Sequence, residues 1–252
     1  MRTAVAAMSF ALLSLGLTGC DLPGRPKEAV DVPRPQEILS FTELYGRNCA
    51  GCHGADGQNG AASNLHNPEY EAWIDDASLR NVIALGEKGV LMPGFGKAAG
   101  GDLTDQQIDI LVHGMRKSWG KGNVFGSDVP PPYHQVSAGD PAKGQAVYTA
   151  ACASCHGASA EHPGPGGSIL DGAFLALINE QTVRTTIVPG RPDVGQPDWR
   201  HMIPGRAMTD AEVTDVSAWL IHQTPSRPGH PYPNTKPNVE RPGEVPPLSE
   251  VK

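Results

Sequence analysis

One segment of the sequence occurs twice, and this duplication constrains the fold more than any other feature. Residues 45–54 and 148–157 correspond at a constant offset of 103 positions, and both contain the pattern Cys-x-x-Cys-His. Self-similarity over that distance indicates two copies of one structural unit. The chain is therefore predicted to hold two domains of the same kind, and its 252 residues are enough for both.

Each copy also ends in the same way. Thr104 with Gln107, and Thr209 with Glu212, form the spacing of a capping box in front of an apolar-periodic stretch. Helix-forming residues precede each cysteine pair, and a further helical stretch lies in the middle of each copy. The predicted helices are 37–47, 77–85 and 104–115 in the first copy, and 141–150, 174–188 and 209–221 in the second. Because no run alternates in the manner of a strand, the predicted class is all-α with long loops.

The repeated cysteines predict the chemistry. In Cys49-x-x-Cys52-His53 and Cys152-x-x-Cys155-His156, two thiols can form thioethers with the vinyl groups of one porphyrin, and the next residue offers an imidazole to the iron. A thioredoxin-like pair gives no reason for the histidine, zinc-binding pairs lie much closer together in sequence, and structural disulfides would not select histidine twice. The predicted cofactors are two covalently attached c-type haems.

With these motifs the chain resembles the class I cytochromes c, in a two-domain, dihaem form. The resemblance covers residues 37–223 and implies an all-α fold of two tandem domains, each built around one covalent haem. The expected domains are 37–124 and 139–224, joined by a linker, 125–138. The resemblance also implies that a loop before the last helix supplies the sixth iron ligand. In the first domain that residue is Met92, followed by Pro93, so that His53 and Met92 would bind the first iron.

The second domain departs from this pattern. Aligned without a gap at an offset of 104, Met92 corresponds to Gln196. Met208 has a structural explanation, because it precedes the helix cap where Leu103 stands in the first domain. Met202 has none and lies in the loop expected to cross the haem, so His156 and Met202 are the predicted ligands of the second iron. Met208 is the runner-up, and His201, Gln196 or an open site rank below it.

The N-terminus reads as an export signal. A short basic start and an apolar run too short to span a bilayer comfortably are followed by Leu17-Thr18-Gly19-Cys20, which resembles the lipobox of bacterial lipoproteins. The expected signal peptide is 1–19, with a lipid on Cys20 and a proline-rich tether over 20–36. A proline-rich tail is expected over 225–252. The predicted location is the periplasmic or outer-facing side of a bacterial membrane, anchored by lipid.

The net charge of the chain restricts the kinds of partner that it can bind. The formal net charge of −7 argues against nucleic acid, since neutralising phosphates needs a basic face. The resemblance implies a non-enzymatic electron carrier or electron-transfer subunit. Expected partners are membrane redox complexes, such as a quinol-oxidising complex, a terminal oxidase or a reaction centre, or soluble cytochromes. Two alternatives rest on Gln196: a dihaem peroxidase and a haem-based gas sensor, each needing an open second haem.

Overall fold

The computed structural model describes residues 32–226. The predicted signal peptide 1–19, Cys20 and nearly all of the predicted tail 225–252 lie outside the described residues. Within residues 32–37, a short 3-10 turn spans Pro35–Glu37. Arg34, which precedes the turn, forms an ion pair with Glu37. From Ile38 onward the described chain forms two helical halves joined by an extended connection.

Ten α-helices lie within residues 32–226, and no β-strand does, so the all-α prediction is confirmed. The first half contains α1 (Phe41–Asn48), α2 (Ala50–His53), α3 (Pro68–Trp73), α4 (Asp76–Leu85) and α5 (Asp105–Trp119). The second half contains α6 (Pro141–Ala151), α7 (Ala153–His156), α8 (Gly172–Leu175), α9 (Glu180–Ile187) and α10 (Asp210–His222). Both predicted capping boxes are formed, at α5 and at α10.

The central helices differ from the prediction. The stretch 174–188 is two helices rather than one, because Asn179 caps α9 by accepting a hydrogen bond from the backbone N–H of Thr182. In the first half α3 was not predicted, and α1 begins at Phe41 rather than at residue 37. Local side-chain caps therefore set boundaries that apolar periodicity alone did not reveal.

In the first half the initial helix crosses the last one at a glycine. The Phe41 ring of α1 fills the space above Gly114 of α5, so that a Cβ on Gly114 would overlap the ring. Phe41 also contacts Trp119, with ring centroids 5.7 Å apart. The absence of a side chain at Gly114 is what lets the two helices approach closely.

The second half makes the same crossing with the residue sizes exchanged. Here the glycine, Gly144, lies on the initial helix α6, and the large residue, Trp219, lies on the last helix α10. A Cβ on Gly144 would lie 2.5 Å from the Cβ of Trp219, and the Trp219 ring packs against Tyr148 with centroids 4.7 Å apart. Trp219 therefore packs the last helix of this half against the first.

The connection between the halves is held at three consecutive carbonyl groups. The carbonyl of Pro131 accepts a hydrogen bond from Trp73 Nε1 (2.6 Å) in the first half. Those of Pro132 and Tyr133 accept from Arg184 Nε (2.8 Å) and Gln181 Nε2 (3.0 Å) in the second half. Proline lacks a backbone donor but keeps its acceptor, so this segment is fixed through its oxygens.

Among residues 32–226, none of the helices combines the length and the apolarity needed to cross a bilayer.

Candidate functional site

The two Cys-x-x-Cys-His turns have the same local structure. In the first half, α1 ends at Asn48, and the backbone N–H of Cys49 donates to the carbonyl of Tyr45 (2.8 Å). The Tyr45 hydroxyl donates to the carbonyl of Gly54 (2.9 Å), which closes the turn around both cysteines. In the second half Tyr148 donates to Gly157 in the same way (2.7 Å).

Each histidine is oriented by a backbone carbonyl from the loop that follows. His53 Nδ1 lies 2.8 Å from the carbonyl oxygen of Ser63, and His156 Nδ1 lies 2.9 Å from that of Gly167. Because a carbonyl only accepts, Nδ1 carries the proton in both rings, and Nε2 keeps its lone pair. This is the arrangement in which a neutral imidazole binds a metal through Nε2 and is oriented through Nδ1.

The four sulfurs fit thioether attachment better than thiol redox chemistry. They are unbridged, and in each turn the first cysteine is buried and the second is exposed. Burial, together with the neighbouring thiol, raises the pKa of Cys49 and of Cys152 to about 12. A reactive dithiol needs a lowered pKa. A thioether does not ionise, so burial costs it nothing of that kind, and the residues present fit a covalent haem in each half.

The loop that contains Met92 returns to the end of α4. The backbone N–H of Glu87 donates to the carbonyl of Met92 (3.0 Å), and that of Leu103 donates to the carbonyl of Phe95 (2.9 Å). The Met92 side chain is half-buried. The loop therefore lies between α4 and α5, and the bond from Glu87 fixes the backbone position of Met92.

The second half repeats this loop with a different side chain at the equivalent position. The backbone N–H of Arg191 donates to the carbonyl of Gln196 (3.0 Å), as Glu87 does to Met92. The Gln196 amide nitrogen in turn donates to the carbonyl of Thr186 on α9 (3.0 Å). Structure and ungapped alignment therefore agree that Gln196 stands where the first half has Met92.

Met208 and Met202 differ in their surroundings. The backbone N–H of Met208 donates to the carbonyl of Trp199 (2.9 Å), which is the counterpart of the Leu103 to Phe95 bond, and the Met208 side chain is 3% exposed. Met208 thus takes the structural place of Leu103, as expected. Met202 is half-buried, packs against the core, and lies in a loop that has one residue more than its counterpart in the first half.

Two helix-capping asparagines also join the halves. Asn67 caps α3 with its oxygen and donates from Nδ2 to the carbonyls of Pro189 (2.8 Å) and Gly190 (3.2 Å). Asn179 caps α9 and donates from Nδ2 to the carbonyl of Lys88 (2.9 Å). Asn67 therefore binds the start of the loop that contains Gln196, and Asn179 binds the start of the loop that contains Met92.

A third contact reaches the first Cys-x-x-Cys-His turn from the second half. Arg191 donates from Nη2 to the carbonyl of Gly60 (3.1 Å), and Asp193 accepts from the backbone N–H of Asn59 (3.0 Å). The Arg191 and Asp193 side chains are paired with each other at 2.8 Å, which lowers the pKa of Asp193 to about 2. The sequence analysis missed these contacts, because no local pattern marks a bond between residues more than a hundred positions apart.

Two family descriptions match the chain. "Cytochrome C oxidase, cbb3-type, subunit III" matches residues 36–113, and "Cytochrome c" matches residues 141–224. The two matches each contain one Cys-x-x-Cys-His turn with its histidine and following loop.

Several characterised proteins are similar in sequence. The cbb3-type cytochrome c oxidase subunit CcoP of Azospirillum sp. (strain B510) is 27% identical, covering 77% of this chain and 66% of that protein. Subunit FixP of Azorhizobium caulinodans is 28% identical, covering 67% and 57%. The cytochrome c subunit of the quinone alcohol dehydrogenase of Gluconobacter oxydans is 36% identical, covering 34% and 20%. The chain spans no more than two thirds of the length of these relatives.

A solved structure, the reducing HAO-like protein complex of Kuenenia stuttgartiensis, aligns at 16% identity with a TM-score of 0.42. The alignment covers 78% of this chain and all of the matched chain, a likeness too weak to argue from.

Proposed function

Because this chain belongs to the class I cytochrome c family and contains two cytochrome c domains, we propose that it relays single electrons between membrane redox partners. The family and the similar proteins support a c-type cytochrome electron carrier, with covalent haem attached in each domain. The finer assignments of ligands, anchor and partners are proposals. The observation that supports them most is the duplicated turn in which both histidines keep Nε2 free to bind iron.

In each domain the chain's own residues would hold and orient the cofactor. When bound, each haem supplies a one-electron ferric/ferrous couple. Cys49 and Cys52 would hold the first haem, with His53 oriented by the carbonyl of Ser63. Cys152 and Cys155 would hold the second haem, with His156 as its proximal ligand. The protein thus contributes ligands, burial and a fixed orientation rather than a bond-breaking step.

For the sixth ligands we propose Met92 in the first domain and Met202 in the second. Met92 is supported by its position in the loop after α4 and by the proline that follows it. Met202 is supported by its half-buried place in the loop before α10. Met208, the runner-up, is less favoured because its side chain and backbone fill the structural role of Leu103.

The membrane context of the proposal rests on sequence. Cleavage after residue 19 and a lipid on Cys20 would tether the domains 37–124 and 139–224 to the outer face of a bacterial membrane. The expected partners are a quinol-oxidising complex, a terminal oxidase, a reaction centre or soluble cytochromes. The names of the similar proteins, subunits of a cbb3-type oxidase and of a quinone dehydrogenase, support partners of this kind.

One observation favours a second candidate function. Gln196 stands where the first domain has Met92, and its amide nitrogen is already bonded to Thr186. If Met202 does not bind the second iron, that iron has an exchangeable sixth position. The chain would then be a dihaem peroxidase or a haem-based gas sensor.

The test is a ferrous optical spectrum of the full haem-loaded chain in detergent, recorded with and without carbon monoxide, after staining for covalent haem. Two covalent haems and an unchanged spectrum support the electron carrier with firm sixth ligands. A spectrum in which half of the haem binds carbon monoxide contradicts the electron carrier with firm sixth ligands and supports the peroxidase or gas sensor. A chain without covalent haem contradicts both.

A further inference from the structure

The two proximal histidine turns differ in what covers them. The first turn, residues 57–66, is contacted by Arg191 and Asp193 of the second domain. Within residues 32–226, the corresponding turn of the second domain, 159–167, receives no hydrogen bond or ion pair from the first domain. His53 is buried, at 8% exposed, whereas His156 is only half-buried. The second domain therefore closes the proximal side of the first, and the reverse contact is not made.

The contacted turn is attached directly to the residues that would hold the first haem. A Cβ on Gly60 would lie 2.6 Å from the carbonyl carbon of His53, so the turn rests on the backbone of the Cys-x-x-Cys-His motif. The backbone N–H of Ala62 donates to the carbonyl of Cys52 (3.0 Å), and the carbonyl of Ser63 accepts from His53 Nδ1 (2.8 Å). A displacement of Gly60 would therefore move residues 61–63, which hold the ring of His53.

The charges at this contact are nearly withdrawn from solvent. The Arg191 side chain is 14% exposed and that of Asp193 is 1% exposed. The Arg191 guanidinium is bonded to Gly60, which lies against the backbone of His53, so its charge lies on the proximal side of the first haem site. Because both side chains are largely withdrawn from water, screening by solvent is weaker there than at the surface.

We infer that Arg191 and Asp193 of the second domain are positioning residues for the first haem, which hold the turn that orients His53 and set the reduction potential of that haem. A cation beside the proximal ligand disfavours the more positive ferric state, so Arg191 raises the potential, and the carboxylate of Asp193 opposes it. The inference rests on the proposed function, because it needs a haem bound at Cys49 and Cys52.

The test uses two neutral, similar-sized substitutions in the full haem-loaded chain. A redox titration followed by NMR resolves the two haems, because backbone amides of 57–66 report the first and those of 159–167 report the second. We expect Arg191→Gln to reduce the ferrous-to-ferric ratio of the first haem at a fixed potential by up to about tenfold, about 59 mV for one electron. Asp193→Asn should increase the ratio, and Arg191→Lys should restore most of the loss.

The opposite signs separate a tuning role from a merely structural one. Loosening of the turn would shift both variants in the same direction, and that result would overturn the inference, as would no shift in either. Arg206→Gln is the matched control, because Arg206 lies in the same domain and, within residues 32–226, its side chain pairs with Glu212 and the neighbouring Ala207. It should leave the first haem unchanged.

Hydrogen exchange supplies a readout independent of redox activity. Amides of 57–66 should exchange faster in Arg191→Gln than in the wild type, whereas those of α5 should not change. Unchanged exchange at 57–66 would contradict the contact itself. A chain that stains for two haems but fails the sign test refutes only this inference, and a chain without covalent haem refutes the proposed function.

Discussion

The side-chain nitrogen of Asn67 donates to the carbonyl oxygen of Pro189, 2.8 Å away, across the boundary between the two domains. The oxygen of the same side chain caps α3, and the whole residue is 1% exposed. One amide therefore serves both the local helix and the long-range contact, and the two roles can be separated by mutation.

We expect Asn67→Asp to retain the cap but lose the donor. A carboxylate oxygen would then face the carbonyls of Pro189 and Gly190, and leaving these buried acceptors unpaired should cost about 1–3 kcal/mol of unfolding free energy. Urea unfolding measures this cost. Asp171→Asn, at the equivalent cap of α8, is the control and should change stability by about a few tenths of a kcal/mol, since its oxygen accepts from Ala173 and Phe174 of its own helix among the described residues. Equal costs in the two variants would mean that the contact between domains adds nothing.

A buried carboxyl group should make stability depend on pH. The Glu71 side chain is 0% exposed, and Oε2 pairs with Arg116 at 2.9 Å, whereas Oε1 has no hydrogen-bond partner in the part of the chain that the structure describes. Burial raises the pKa of Glu71 to about 7, against the opposing effect of Arg116.

Because the folded state holds this proton more tightly than the unfolded state, the contribution of Glu71 to stability is greatest below about pH 4.5 and is lost as the pH rises through 7. We expect Glu71→Gln to remove that part of the decline, measured as unfolding free energy between pH 4.5 and 8. Glu43→Gln, at an exposed pair with Arg47, should keep the wild-type slope. The same slope in Glu71→Gln as in the wild type would show that folding does not raise the pKa of Glu71.

The helix crossings predict a domain-specific loss of stability. A methyl group at Gly114 would overlap Phe41, and one at Gly144 would crowd Trp219, so Gly114→Ala and Gly144→Ala should each cost about 1–3 kcal/mol in their own domain. Gly46→Ala is the control, because no atom of the described range 32–226 outside its own helix backbone lies within 4 Å of a Cβ there, and it should be neutral or stabilise α1 by about 0.5–1 kcal/mol. Thermal unfolding followed at each haem would measure these changes, and a cost at Gly46 equal to that at Gly114 would refute the steric account.

The proposed sixth ligands predict which variants bind carbon monoxide. Met92→Ala should open the first iron and Met202→Ala the second, each giving a ferrous haem that binds the gas and has a lower reduction potential. Met208→Ala should instead leave both irons closed and cost about 2–5 kcal/mol of stability, because it empties a buried site. If Met208→Ala opens the second iron and Met202→Ala does not, the two assignments must be exchanged.

Much of the architecture could be predicted because its signals are local. The Cys-x-x-Cys-His turns, the capping boxes at Thr104 and Thr209 and the alignment of Gln196 with Met92 all depend on residues a few positions apart. The contacts of Arg191 with Gly60 and of Asn67 with Pro189 could not be predicted. These contacts join residues more than a hundred positions apart, and polar residues in loops carry no sequence signal of such long-range pairing.

The exchanged sizes at the two helix crossings bear on the history of the duplicated segment. A recombination event that joined the initial helix of one copy to the last helix of the other would place Phe41 against Trp219, or Gly144 against Gly114. The first hybrid would be overfilled and the second would have a cavity, so both would be penalised. The two copies are therefore not interchangeable at this crossing, and a single domain formed by crossover between the repeats would pack its first and last helices poorly.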